Sequence, residues 1–230
     1  MSASDCDPIP GNRRRFLARA ASSAFAVGGL SGFMSRALAK GDIAAIPGVN
    51  RLEGTVTVNG RPAIVGMPVT ASDKVSTGPG SMTVLVIRDD AFLLRADTTL
   101  EFAQSGGALS GMLIRAGRVL SVFGRKPVAI RAGNASIGIR GTGAYLEVEP
   151  GKVYFCLCYG EADIDGPGLA APKNVKTTHH EQPLVLSERA GTMAAVPGPF
   201  INHSDDELIL LESLVGREPP FVGTYPTKRY

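Results

Sequence analysis

The chain has 230 residues, 44% of them apolar and 20% charged, which excludes wholesale disorder and provides for one full core, with or without an extension. Its 28 glycines and 16 prolines, and the absence of tryptophan, suit short strands joined by tight turns better than long helices. The formal charge of +3 resides in residues 1–39, where five arginines face two aspartates; the other 19 basic and 19 acidic residues cancel, which excludes nucleic acid as a principal partner.

Arg13 and Arg14, with Phe16 and Leu17 just beyond, precede a moderately apolar stretch from Ala18 to Met34. Ala37 and Ala39 then form a small-x-small cleavage site. Basic, apolar and small residues in this order make a signal peptide. The arginine pair with Phe16 and Leu17 resembles the twin-arginine export signal, with Asn12 and Ala18 standing where Ser or Thr and Lys are usual. A chance arginine triplet on an amphipathic helix, or a retained anchor interrupted by Arg19, are the alternatives. Cleavage after Ala39 predicts a periplasmic protein of 191 residues starting at Lys40. The Tat translocase, its partner during export, carries folded proteins, many of them with a cofactor loaded beforehand. Outside the leader no apolar run approaches the length of a membrane span. Cys6 departs with the leader, and Cys156 and Cys158 alone cannot make a disulfide framework.

Residues 50–165 read as strands and turns throughout. Gly54–Val58 alternates with period two and ends at the hairpin signal Asn59-Gly60. Thr83–Ile87 and Ala91–Leu94 flank Asp89-Asp90. Thr99–Ala103, Met112–Arg115, Arg118–Phe123, Val128–Arg131, Ala135–Ile139 and Gly143–Glu149 follow, with turn residues at Ser105–Gly107, Ala116-Gly117, Gly124, Gly133-Asn134 and Pro150-Gly151. Units of ten to twelve residues are the spacing of sandwiches, barrels and β-solenoids. The fold class is all-β, a short-strand sandwich or β-solenoid-like module.

Gly66, Val69, Val75, Thr77-Gly78 and Ser81, then Asp89-Asp90 between two strands, then Ile139-Arg140-Gly141-Thr142-Gly143, occur in an order that resembles the FecR domain. Tyr159–Asp163 corresponds to that family's closing Gly-x-Val unit. The resemblance spans about residues 54–165. It implies a periplasmic β-rich module of ferric-citrate-type regulators, used for binding and signalling, with no catalytic residue to carry over. Members of that family also carry a cytoplasmic anti-sigma bundle and a membrane helix before the module. Neither is read in this sequence, so direct signalling to a sigma factor is not expected of it. Arg140-Gly141-Thr142 reads as a tight corner before it reads as an anion site.

Residues 166–230 form a C-terminal extension. Gly166–Gly168 and Pro172 mark a loop, Pro183–Ser187 one more strand, and Ala194–Asn202 a loop containing Pro-Gly-Pro. Ser204 and Glu207 fit a capping box, and Leu208, Leu211, Leu214 and Val215 make an apolar stripe that Gly216 ends. The spacing predicts one short helix near 205–215, packed on its own domain.

No nucleophile elbow, phosphate loop, zincin motif or dinucleotide fingerprint is present, so an enzyme is not expected. All the histidines and both cysteines beyond the leader fall within residues 156–203. Val153, Phe155 and Leu157 should turn to the core, leaving Tyr154, Cys156 and Cys158 on the opposite strand face. Two thiols at this spacing can share one ion, zinc or copper. Of His179 and His180 at most one should join them, because neighbours in an extended segment point apart, and His203 can supply a fourth ligand. Two small buried hydrophobes, or a strained or intermolecular disulfide, are the competing readings of the cysteines. Three functions follow from these alternatives: an exported binding or sensory module with a metal, its partner an envelope protein or small ligand; an envelope interaction module with no ligand; and a metal-dependent enzyme.

Overall fold

Alternation of apolar and polar residues recurs along nearly the whole body of the chain, and each alternating run becomes a strand. The computed structural model describes residues 46–169 and 171–228. Arg13, Arg14, Phe16, Leu17, Ala37 and Ala39 of the leader lie outside the described residues. The described strands are β1 (Gly48–Glu53), β2 (Val56–Val58), β3 (Arg61–Pro62), β4 (Lys74–Thr77), β5 (Met82–Ile87), β6 (Asp90–Leu94) and β7 (Thr99–Ser105). They continue with β8 (Ala108–Val122), β9 (Pro127–Ala132), β10 (Ala135–Glu149), β11 (Lys152–Asp165), β12 (Lys173–Thr177), β13 (Leu184–Arg189) and β14 (Thr192–Pro197). A single helix, α1 (Asp205–Leu214), follows them among the described residues. No helix there is long and apolar enough to cross a membrane.

The strands join into one hydrogen-bonded sheet of 14, antiparallel except for the β8–β9 pair. Three long strands serve two halves of it. β8 pairs with β7 and β9 through its first part, then with β6 and β10 through Gly117–Val122. β10 pairs with β9 through Ala135–Arg140 and with β8 through Gly143–Val148. β11 carries β13 at one end and β12 at the other. A strand that leaves one sheet and enters another through a bulge makes the corner of a sandwich. The inward faces of both halves share one core, in which Phe92 of β6 meets the ring of Phe102 of β7 at 5.0 Å although those strands do not pair.

Two predicted turns are therefore bends within continuous strands. Met112–Arg115 and Arg118–Phe123, all but its last residue, belong to β8, and Ala135–Ile139 and Gly143–Glu149 to β10. At Gly117 (φ 94°) a Cβ would lie 2.4 Å from the Thr98 Cα, so only glycine allows the close approach. At Gly141 (φ 56°) the register of β10 against β11 slips between Arg140 and Gly143. Positive φ looks the same in a local sequence whether it reverses the chain or only bends it. The sheet also extends past residue 165, since β12, β13 and β14 add to it rather than standing apart.

The outward face of the half built on β5, β6, β8, β10 and β11 is apolar too. Cross-strand pairing lines up Val84, Leu93, Leu120, Tyr145 and Cys156 in one row, every member buried. α1 covers this face, lying against β6 and β8 with Leu208, Leu210, Leu211 and Leu214 buried. Each such leucine contributes about 1.5–3 kcal/mol relative to exposure. Ser204 caps the helix as the capping box requires: its hydroxyl accepts from the Glu207 N–H at 3.4 Å, and Glu207 accepts from the Ser204 N–H at 3.0 Å. The helix thus starts two residues after His203, with its cap Ser204 between them.

Candidate metal centre

Strand alternation decides where the thiols go. Val153, Phe155 and Leu157 lie in the sandwich core, while Tyr154, Cys156 and Cys158 turn to the outward face under the extension. Two segments then bring imidazoles to them. After β12 the chain runs on beside β11, with the His180 N–H donating to the Cys158 carbonyl at 3.0 Å. Glu181 closes this turn by accepting from the N–H groups of Thr178 and His179, each at 2.9 Å, and from the Thr178 hydroxyl. Partial burial opposes ionisation of Glu181, but those donors prevail and bring its pKa down to about 2. His180 itself adopts the left-handed conformation at φ 60°, and Asn202 does the same at φ 58° immediately before His203. Non-glycine residues in that region cost about 1–3 kcal/mol each and cluster where function needs them.

The four side chains converge on one point. Cys156 Sγ is 3.5 Å from His180 Nδ1, Cys158 Sγ is 3.5 Å from His203 Nε2, and those two ring nitrogens are 3.2 Å apart. All four donor atoms lie within 4.8 Å of one another. An ion with tetrahedral bonds of about 2.3 Å to sulfur and about 2.05 Å to nitrogen has S–N edges of about 3.6 Å and an N–N edge of about 3.3 Å. The observed spacings match those edges. Cys156, Cys158 and His203 are 0% exposed and His180 is 3% exposed.

Both rings are oriented by their remaining nitrogens. His203 Nδ1 lies 2.7 Å from the Ile201 carbonyl, which can only accept, so Nδ1 carries the proton and Nε2 presents a lone pair. The ring stacks on Tyr145 at 4.4 Å and meets the edge of Phe200 at 4.6 Å. His180 Nε2 is 3.0 Å from Asp205 Oδ1, which leaves Nδ1 as the lone pair facing the cluster. The only protons then available between the four donor atoms are those of the two thiols. Burial opposes ionisation of Cys156, yet the neighbouring Cys158 and His203 side chains bring its pKa down to about 6. Burial and the neighbouring Cys156 push Cys158 well above the usual thiol value. Burial likewise lowers the pKa of His180, against the pull of Asp205, and so favours its neutral, ligating form.

Cys156, Cys158, His180 and His203 are thus brought together, and His179 is not. His179 Nε2 sits 2.9 Å from Asp205 Oδ2, on the far side of His180. His179, His180 and Asp205 form a second group of potential ligands. Their N–O separations of 2.9 and 3.0 Å are hydrogen-bond lengths, shorter than the edge of about 3.3 Å around an ion. Sequence reasoning missed Asp205, although it lies two residues after His203 and is only 1% exposed. It also missed Tyr145, which begins no motif and is recognisable only through its register opposite Cys156.

No protein-family model matches the sequence, and no curated protein matches it. Two crystal structures of a "putative anti-sigma factor" from Parabacteroides distasonis ATCC 8503 resemble part of the fold, with TM-scores of 0.45 and 0.44 at 13% and 14% identity. The similarity covers 54% of this chain and 59% of each of those chains.

Proposed function

We propose that the chain is an exported, periplasmic binding module of FecR type whose extension is fastened to its sheet by a bound metal ion. The observation that carries the metal is the convergence of the buried side chains of Cys156, Cys158, His180 and His203 at tetrahedral spacing. An ion there joins β11, the turn after β12 and the segment leading into α1. Metal binding would displace the protons that the two thiols still carry. Zinc fits best. Two thiolates and a divalent ion sum to zero charge in a site with almost no exposed surface, whereas copper(I) with both thiolates leaves one negative charge buried.

With all four positions supplied by buried protein ligands, the centre lacks the open position that catalysis at a metal requires. The reading is therefore a closed, structural centre in a binding module, not an enzyme. The FecR-type assignment rests on the ordered motifs from Gly66 to Asp163, and the export assignment on Arg13, Arg14 and the Ala37–Ala39 cleavage site. An envelope protein or a small ligand is the partner class these imply. Metal analysis of natively exported protein, purified without chelator, tests the centre. One ion per chain is expected, zinc before copper, and its loss in the Cys156→Ser/Cys158→Ser variant. Substoichiometric metal, or content unchanged in that variant, overturns it.

A further inference from the structure

We propose that Asp205 is a positioning residue of the metal centre, holding His180 in the tautomer and orientation that ligate; this rests on the metal reading above. The carboxylate is 1% exposed and is shared among three donors. Oδ1 accepts from His180 Nε2 at 3.0 Å, and Oδ2 accepts from His179 Nε2 at 2.9 Å and from the Lys228 N–H. His180 has its backbone tied to Cys158 and faces the Phe200 ring at 4.7 Å, so the flip of its own ring is the freedom that remains. A flipped ring would aim a C–H at the thiolates and take Nε2 away from Asp205, and a wrongly protonated ring would aim an N–H at them. Asp205 opposes both, because it can only accept.

The C-terminal segment holds Asp205 in turn. The Asp205 N–H donates to the Lys228 carbonyl at 3.1 Å, and Lys228 Nζ donates to the His179 carbonyl at 2.8 Å. Phe221 and Tyr225 pack on the His179 ring at 4.6 and 5.1 Å. His179 is thus a neighbour of the same carboxylate that never faces the ion, and it serves as a built-in control.

Cobalt(II) titration of the full chain, followed by competition with zinc, tests the assignment. Asp205→Asn should bind one cobalt with wild-type thiolate charge-transfer intensity, a displaced d–d band and an affinity about 10–100-fold lower. His179→Gln should keep the wild-type band and lose far less affinity. Asp205→Asn with wild-type affinity and bands overturns the inference while leaving the metal centre standing. Failure of the wild-type chain to bind cobalt or zinc overturns the centre itself. Should Asp205→Asn not fold, Lys228→Pro, which removes one donor to Oδ2, must release zinc to a chelator faster than wild type; an unchanged rate overturns the inference as well.

Discussion

His180 Nδ1 and His203 Nε2 face each other across 3.2 Å, while their other ring nitrogens are engaged by the Asp205 carboxylate and the Ile201 carbonyl. Two neutral imidazoles so oriented present lone pair to lone pair and need a positive centre or a donor between them. The thiols of Cys156 and Cys158 stand on either side and supply either hydrogens or, as thiolates, two more ligands.

The histidines should therefore separate cleanly by function. His180→Ala and His203→Ala are each expected to weaken zinc binding by well over the 10–100-fold loss typical of an outer-sphere change, since each removes a ligand. His179→Ala is expected to retain one zinc per chain, because its Nε2 is turned to Asp205 and its ring packs on His180, Phe221 and Tyr225 without supplying a donor atom to the cluster. Chelator competition on the three variants checks this. Equal losses in all three would contradict the geometry.

Much of this was legible in the sequence, for a physical reason. Alternation along Val153–Cys158 assigns each side chain to a sheet face without knowledge of any partner strand. Ser204 and Glu207 announce the start of α1 because a capping box is local. Continuity of β8 and β10 was not legible, since Gly117 and Gly141 read alike as turns or bends until the neighbouring strands are in place. Strand β12 also escaped, because the edge segment Lys-Asn-Val-Lys-Thr is mostly exposed and has little alternation to read. Asp205 was hidden for the opposite reason. Its partners come from residues 179, 180 and 228, which only the fold brings together.

Removing the helix cap should be felt at the centre. Ser204 lies between His203 and Asp205, and its hydroxyl accepts from the Glu207 N–H. Ser204→Ala is expected to cost about 0.5–2 kcal/mol of stability. Because the cap orders the segment that carries His203, zinc release should also quicken. Denaturant midpoints and chelator kinetics on one preparation measure both.

Export should depend on the arginine pair. Arg13→Lys/Arg14→Lys is expected to leave the protein in the cytoplasm with its leader attached, whereas the wild-type periplasmic form should begin at Lys40. Fractionation and intact mass distinguish the outcomes. Unimpaired export of the double variant would remove the twin-arginine assignment and leave the metal centre untouched.

The last expectation concerns stability under metal removal. A ligand that binds the folded chain and not the unfolded one stabilises it by RT ln(1 + [L]/Kd), about 2.7 kcal/mol when the free ion stands at 100 times Kd. The ion would tie β11 to the turn carrying His180 and to the segment before α1, so its loss should loosen the extension before the sandwich. Burial of Leu208, Leu210, Leu211 and Leu214 persists without metal, and complete release of α1 is not expected. Chelation should lower the melting temperature of the wild-type chain and quicken proteolysis within residues 178–228. The Cys156→Ser/Cys158→Ser variant should melt at one temperature with or without chelator. If chelation leaves wild-type melting unchanged, no ion is fastening the extension. If it lowers melting of the wild type and the double variant alike, the stabilising ion sits elsewhere.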